Sequence, residues 1–171
     1  MAGLAKDTRA FSCVAGAALL CFALSGVVFS RSVLEAVFLF IALALLFWAA
    51  VYDHARGVIP FIVCILLAVL SLAAALFAVP PTAPSRIFGF LLGLILPLLA
   101  RGLFLRRGSE ALGLGDVHFL ASLGLLLGGK GVLLTIVLGS FLTILAAAVC
   151  KVRRLPFAPA LSLAAAAALF L

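Results

Sequence analysis

The chain has 171 residues, of which 68% are hydrophobic and 10% charged, and its mean hydropathy is +1.48. So little polar surface excludes a water-soluble globule, and the lack of a long polar stretch between apolar runs makes residues 1–171 one membrane domain. The net charge of +7 is carried by twelve Lys and Arg in short groups between those runs, the placement that membrane topology gives them, which argues against nucleic acid as a partner.

A helix rises about 1.5 Å per residue, so roughly 20 apolar residues cross about 30 Å of hydrocarbon. That length predicts helices at 11–29, 33–52, 58–79, 87–105, 113–128, 131–150 and 155–171. The expected architecture is an all-α polytopic bundle of about six to seven transmembrane helices joined by short loops in a lipid bilayer. Lys6 and Arg9 ahead of the run Ala10 to Phe29 have the form of a secretory signal peptide. The run is about 20 residues, longer than the apolar core of such a signal, and reads as an uncleaved first helix. Arg31, the Asp53–Gly57 turn, Pro80–Arg86, Arg106–Gly115, Gly128–Gly131 and Lys151–Arg154 separate the helices. Pro97 is expected to bend the fourth. The fifth carries the weakest signal, because only Val117 to Leu127 is largely apolar and its entry is glycine-rich.

Short cytoplasmic loops are enriched in Lys and Arg. With the N-terminus inside, Lys6, Arg9, Arg56, Arg101, Arg106, Arg107, Lys151, Arg153 and Arg154 face the cytoplasm, nine of the twelve, and Arg31, Arg86 and Lys130 lie outside. Were the fifth segment not to cross, the split would fall to seven against five. The charges therefore favour seven spans in the inner (plasma) membrane with a cytoplasmic N-terminus. Asp53 ends the second helix and Asp116 opens the fifth, so two complete crossings between them bring both to the cytoplasmic face.

The five acids are Asp7, Glu35, Asp53, Glu110 and Asp116. Asp7, Glu35 and Glu110 fall in polar or boundary positions that suit solvated or paired charge. Asp53 follows about twenty mostly apolar residues, where a carboxylate serves pairing, ion passage or catalysis; neutralisation by Arg56 at a helix end is the plainer account. Asp116 lies in ALGLGDVHFL, where Gly113 and Gly115 let the backbone turn and another chain approach, and where Asp116 suits a helix N-cap. A capped loop would explain it equally. Together the two say more: close carboxylates at low dielectric share one proton, so one acts as base on a water and the other as acid toward a carbonyl oxygen. His54 and His118 each lie within two residues of an aspartate, as bystanders or as groups that tune the pair. Cys13, Cys21, Cys64 and Cys150 form no CxxC pair. They read as small buried hydrophobes, and neither a metal nor another cofactor is expected.

The run GLGDVHFLASLGLLLG, residues 113–128, resembles the GxGD signature of type IV prepilin peptidases, and YDHARGVIP, residues 52–60, is similar to the stretch around that family's first aspartate. RRLPFAPALSL, residues 153–163, is similar to the entry to its last helix. The resemblance implies that Asp53 and Asp116 are the catalytic pair of a membrane-embedded aspartyl endopeptidase, which removes a short basic leader from a prepilin-like protein at the cytoplasmic face. His118 stands where the family most often has lysine, and Phe61 where a polar residue commonly follows Ile-Pro. The cysteine-bearing methyltransferase segment of the larger members has no counterpart here, so only the peptidase half is implied.

Two alternatives remain at this level. The presenilin and signal-peptide-peptidase group also shows Tyr-Asp, GLGD and Pro-Ala-Leu, matched by Tyr52–Asp53, Gly113–Asp116 and Pro159–Leu161, but sets its aspartates on neighbouring helices. A small proton-coupled carrier or channel would also explain two acids in an apolar bundle, and predicts a polar path through it.

Overall fold

The computed structural model describes residues 33–77, 79–106, 113–150 and 157–170. The expected helix at 11–29, Arg31, Asp7, Glu110 and the Lys151–Arg154 cluster lie outside them. Among the described residues every regular element is helical: α1 (Val33–Arg56), α2 (Phe61–Leu76), α3 (Ala83–Arg106), α4 (Leu114–Cys150) and α5 (Ala158–Ala168). Three stretches, Val33–Arg56, Ala83–Arg106 and Leu114–Val149, are long and apolar enough to cross a membrane. Where six to seven spans were expected, the described residues hold five helices. The difference arises because the expected helix at 11–29 lies outside them and the expected segments at 113–128 and 131–150 both fall within α4; the turn at Gly57–Pro60 only shortens α2. The 16 residues of α2 and 11 of α5 extend only about 24 and 16 Å.

Each helix end has a local cause. Glu35 in the first turn of α1 and His54 and Arg56 in its last oppose the helix dipole. Gly57, at φ 67°, stops α1 in the left-handed conformation that suits glycine, and its N–H donates to the Asp53 carbonyl at 2.7 Å. α1 thus runs past the expected end at 52 and places Asp53 inside its last turn. α2 starts directly after Pro60, which is extended and has no N–H to waste. α3 begins at Ala83, so Arg86 lies within a helix rather than in the loop where it was expected. Pro97 sits inside α3, which continues through it.

α4 is two helices meeting at Gly128, whose φ of 72° and ψ of −178° are not helical. A straight helix would carry Gly139 about 35 Å from Asp116. Gly139 instead packs against Leu161, one turn into α5; the Ala158 amide that opens α5 donates to Asp53, and Asp53 is close enough for its charge to reach Asp116. The break at Gly128 therefore folds the second half of α4 back toward the aspartates, as the expected pair of segments at 113–128 and 131–150 requires.

Such a break strands backbone polar groups that lipid cannot satisfy. The Gly129 N–H is taken by Ser85 Oγ at 3.3 Å. The Leu125 carbonyl accepts from Ser71 Oγ and from Arg86 Nη1, the latter at 3.0 Å. Arg86, 4% exposed, also donates to Ser71 Oγ (2.9 Å), Pro81 O (2.9 Å) and Val79 O (2.8 Å). One guanidinium thereby ties the end of α2, the following turn and the broken helix together, using the fork geometry that an ammonium lacks.

α3 and the first half of α4 run antiparallel along a seam of glycines. A Cβ at Gly89 would overlap the Gly124 carbonyl oxygen, and one at Gly93 would overlap the Leu120 carbonyl. Burial from lipid yields no hydrophobic gain, so it is this close backbone approach, with its dispersion contacts, that joins the helices. The core of Leu46, Leu67, Phe119, Leu123 and Leu161 is fully buried, and α5 is enclosed along most of its length, which its alanines allow.

Candidate active site

Two turns bring the aspartates to one end of the bundle. Asp53 sits in the last turn of α1 and Asp116 in the first turn of α4. The segment joining α1 to α2 lies against the glycine-rich entry to α4: a Cβ at Gly115 would stand 3.5 Å from Ile59 Cβ and 3.6 Å from its carbonyl oxygen. That is ordinary van der Waals contact, so Gly115 gives room for the neighbouring chain but a methyl would also fit. No left-handed backbone is needed at Gly113 or Gly115.

Asp53 is 6% exposed, and its Oδ2 accepts from the Ala158 N–H at 3.1 Å. Arg56 does not neutralise it in the way the plainer account supposed: Arg56 Nη1 donates to Tyr52 Oη at 2.8 Å, with the guanidinium 4.9 Å from the centre of the Tyr52 ring. Asp116 is half-buried. It is not the N-cap that the sequence suggested; it occupies the third helical position, and its Oδ2 accepts from the Gly113 N–H at 3.1 Å. This is the backward half of a capping box.

The His118 Nδ1–H donates to the Leu114 carbonyl at 2.8 Å, and its ring meets Phe61 edge-on, centroids 5.5 Å apart. The two positions singled out as departures from the prepilin-peptidase pattern are thus in contact. The Ser122 hydroxyl donates to the His118 carbonyl at 2.8 Å. Cys64, buried and free, lies beside Ser122 and within reach of the Asp116 charge. Two buried polar atoms, His54 Nδ1 and Ser162 Oγ, have no hydrogen-bond partner among the described residues. No group of three His, Cys, Asp or Glu among the described residues is placed to hold a metal ion.

The Ala158 amide and the Cys64–Ser122 pair were missed in the sequence. The first had a signal, since a proline at 159 marks the opening turn of a helix, whose N–H groups have no internal acceptors. The second had none, because nothing in the spacing of Cys64 and Ser122 registers α2 against α4.

Chemically, the arrangement offers two carboxylates within each other's field, each held by a backbone amide, at a bundle end framed by Tyr52, Phe61 and His118. A model of the type IV leader peptidase family matches residues 39–150, a stretch that contains both aspartates and Gly113–Gly115. No comparable match was found among curated proteins or among solved structures.

Proposed function

The chain belongs to the type IV leader peptidase family, and from that premise we propose that it is a membrane-embedded aspartyl endopeptidase with Asp53 and Asp116 as its catalytic pair. Its substrate is a prepilin-like protein, a pilin, pseudopilin or archaellin-type precursor, whose short basic leader is removed ahead of an apolar helix. The observation that carries this reading is the meeting of the two turns, Ile59 against Gly115, which sets both carboxylates at one end of the bundle.

The chemistry needs one proton for two carboxylates. The ionised member takes a proton from water as its oxygen adds to the peptide carbon, and the protonated member gives its proton to the carbonyl oxygen. By the charge count the site opens to the cytoplasm in a multi-pass protein of the plasma membrane with an inside N-terminus. The leader binds at that surface and the precursor's apolar helix lies against the bundle within the bilayer.

Helix order favours this reading over a presenilin-like one, since α2 and α3 lie between the helices that carry the aspartates. A carrier fits less well. The spans do hold more buried polar groups than expected, among them Ser71, Arg86 and Thr135, but fully buried Leu67 and Leu123 follow Cys64 and Ser122 along α2 and α4, and the described residues show no continuous polar track.

The test is direct. The protein is purified in detergent and mixed with a prepilin-like substrate, and Asp53→Asn and Asp116→Asn are compared with the parent; both variants are expected to lose cleavage. Full cleavage by either one removes that aspartate from the mechanism.

A further inference from the structure

The two aspartates are held differently. Asp53 accepts, in the interior, the amide of a residue 105 positions later. Ala158 is the first residue of α5, so its N–H has no acceptor within the helix. Pro159 brings no N–H, and Leu161 donates to the Phe157 carbonyl. Asp116 takes its amide from Gly113, three residues away, in an exposed turn of its own. Burial by itself favours the neutral form of Asp53; a buried N–H at the positive end of a helix opposes that, because little water competes with it there, whereas Asp116 has only an exposed turn.

We propose that the Ala158 N–H, presented by the N-terminus of α5, is a positioning group that fixes the Asp53 carboxylate and leaves the shared proton on Asp116. This inference rests on the peptidase reading above. Asp53 is then the base and Asp116 the acid. Asp53 takes a proton from water as the water oxygen bonds to the peptide carbon, while the Asp116 proton passes to the carbonyl oxygen, giving a neutral gem-diol. On collapse the proton on Asp53 moves to the leaving nitrogen, the C–N bond breaks, and Asp116 recovers a proton from a hydroxyl. The pair returns to its starting state.

Among the described residues the ionisable groups around this centre are His54 on α1 and Asp116 on α4. Cys64 on α2 lies beside Asp116, and the described part of α5 has none.

The test uses the full chain in detergent with a peptide substrate made of a basic leader followed by an apolar helix. Ala158→Pro deletes the N–H, but Phe157 before it is in the helical conformation, φ −84° and ψ −31°, which a following proline disfavours, so some loss of folding is expected with it. An ester in place of the Phe157–Ala158 amide, made by incorporating lactic acid at 158, deletes the same hydrogen without the ring. In both, kcat is expected to fall by about tenfold or more with KM little changed, and the acidic limb of the kcat/KM profile to move to higher pH. Ala158→Gly, which keeps the N–H, rescues kcat. A purely structural loss would lower the amount of folded enzyme without moving that limb. An ester variant with parental kcat and parental pH profile overturns the proposal, and it decides the matter if the proline variant fails to fold. A parent that does not cleave, or aspartate variants that do, would instead refute the peptidase reading.

Discussion

Gly89→Ala adds a single methyl to α3, yet the structure makes it one of the most disruptive small changes available. The new Cβ would lie 2.6 Å from the Gly128 carbonyl carbon and 2.9 Å from its Cα, where ordinary contact begins at 3.4 Å. The three nearest atoms, the still closer Gly124 carbonyl oxygen among them, are all backbone, so no rotamer relieves the overlap and the seam must open by about 1 Å. A gap of that size forfeits roughly a quarter to a half of each dispersion contact along the interface, and overpacking of this kind costs about 3 kcal/mol. Gly102→Ala, in the same helix, is the internal control: nothing lies within 4 Å of its Cβ, so the change contributes only helix propensity, about 0.5–1 kcal/mol in favour of the variant. Reversible unfolding in mixed detergent micelles measures both. Equal stability of Gly89→Ala and the parent, or equal loss in the two variants, would refute the close seam between α3 and α4.

The two left-handed glycines differ in the same assay: Gly57→Ala meets nothing within 4 Å and is expected to lose about 1–2 kcal/mol from backbone strain alone, whereas Gly128→Ala also crowds Ser85 and Pro81 and loses more. Arg86→Lys keeps the charge, but one nitrogen cannot reach Val79, Pro81 and Leu125 together, so a loss of about 2–4 kcal/mol is expected; parental stability would show that those bonds contribute nothing. Cleavage by the parent should fall at both acid and alkaline pH, because the chemistry requires one proton on the pair, and a flat rate from about pH 4 to about pH 9 would contradict a shared proton.

Much of the site was legible because its chemistry depends on residues that are costly in an apolar chain. A carboxylate after twenty apolar residues and another in a glycine-rich turn announce themselves, and the structure brings the two turns that carry them to one end of the bundle. Helix ends were less legible. Asp53 was expected to close a helix and instead lies inside its last turn, because Gly57 rather than the charge supplies the stop. Asp116 was expected at the N-cap and reaches back from the third position, an outcome that the letters GLGD allow equally well. Arg86 was misplaced for a physical reason: hydropathy treats a charge as a boundary, whereas a guanidinium surrounded by stranded carbonyls belongs inside. The glycine seam was hidden because each partner of Gly89 lies more than thirty residues away, and composition carries no record of which helices adjoin.

The bond between Asp53 and the Ala158 amide has a consequence for biogenesis. The carboxylate enters the membrane early in synthesis, but its partner is made 105 residues later, after α2, α3 and both halves of α4. A nascent chain paused anywhere before α5 holds both aspartates without the arrangement that orders the first. On the proposed mechanism the ordering of Asp53 is therefore tied to docking of the last described helix, and a partly translated chain carries Asp53 without its Ala158 donor.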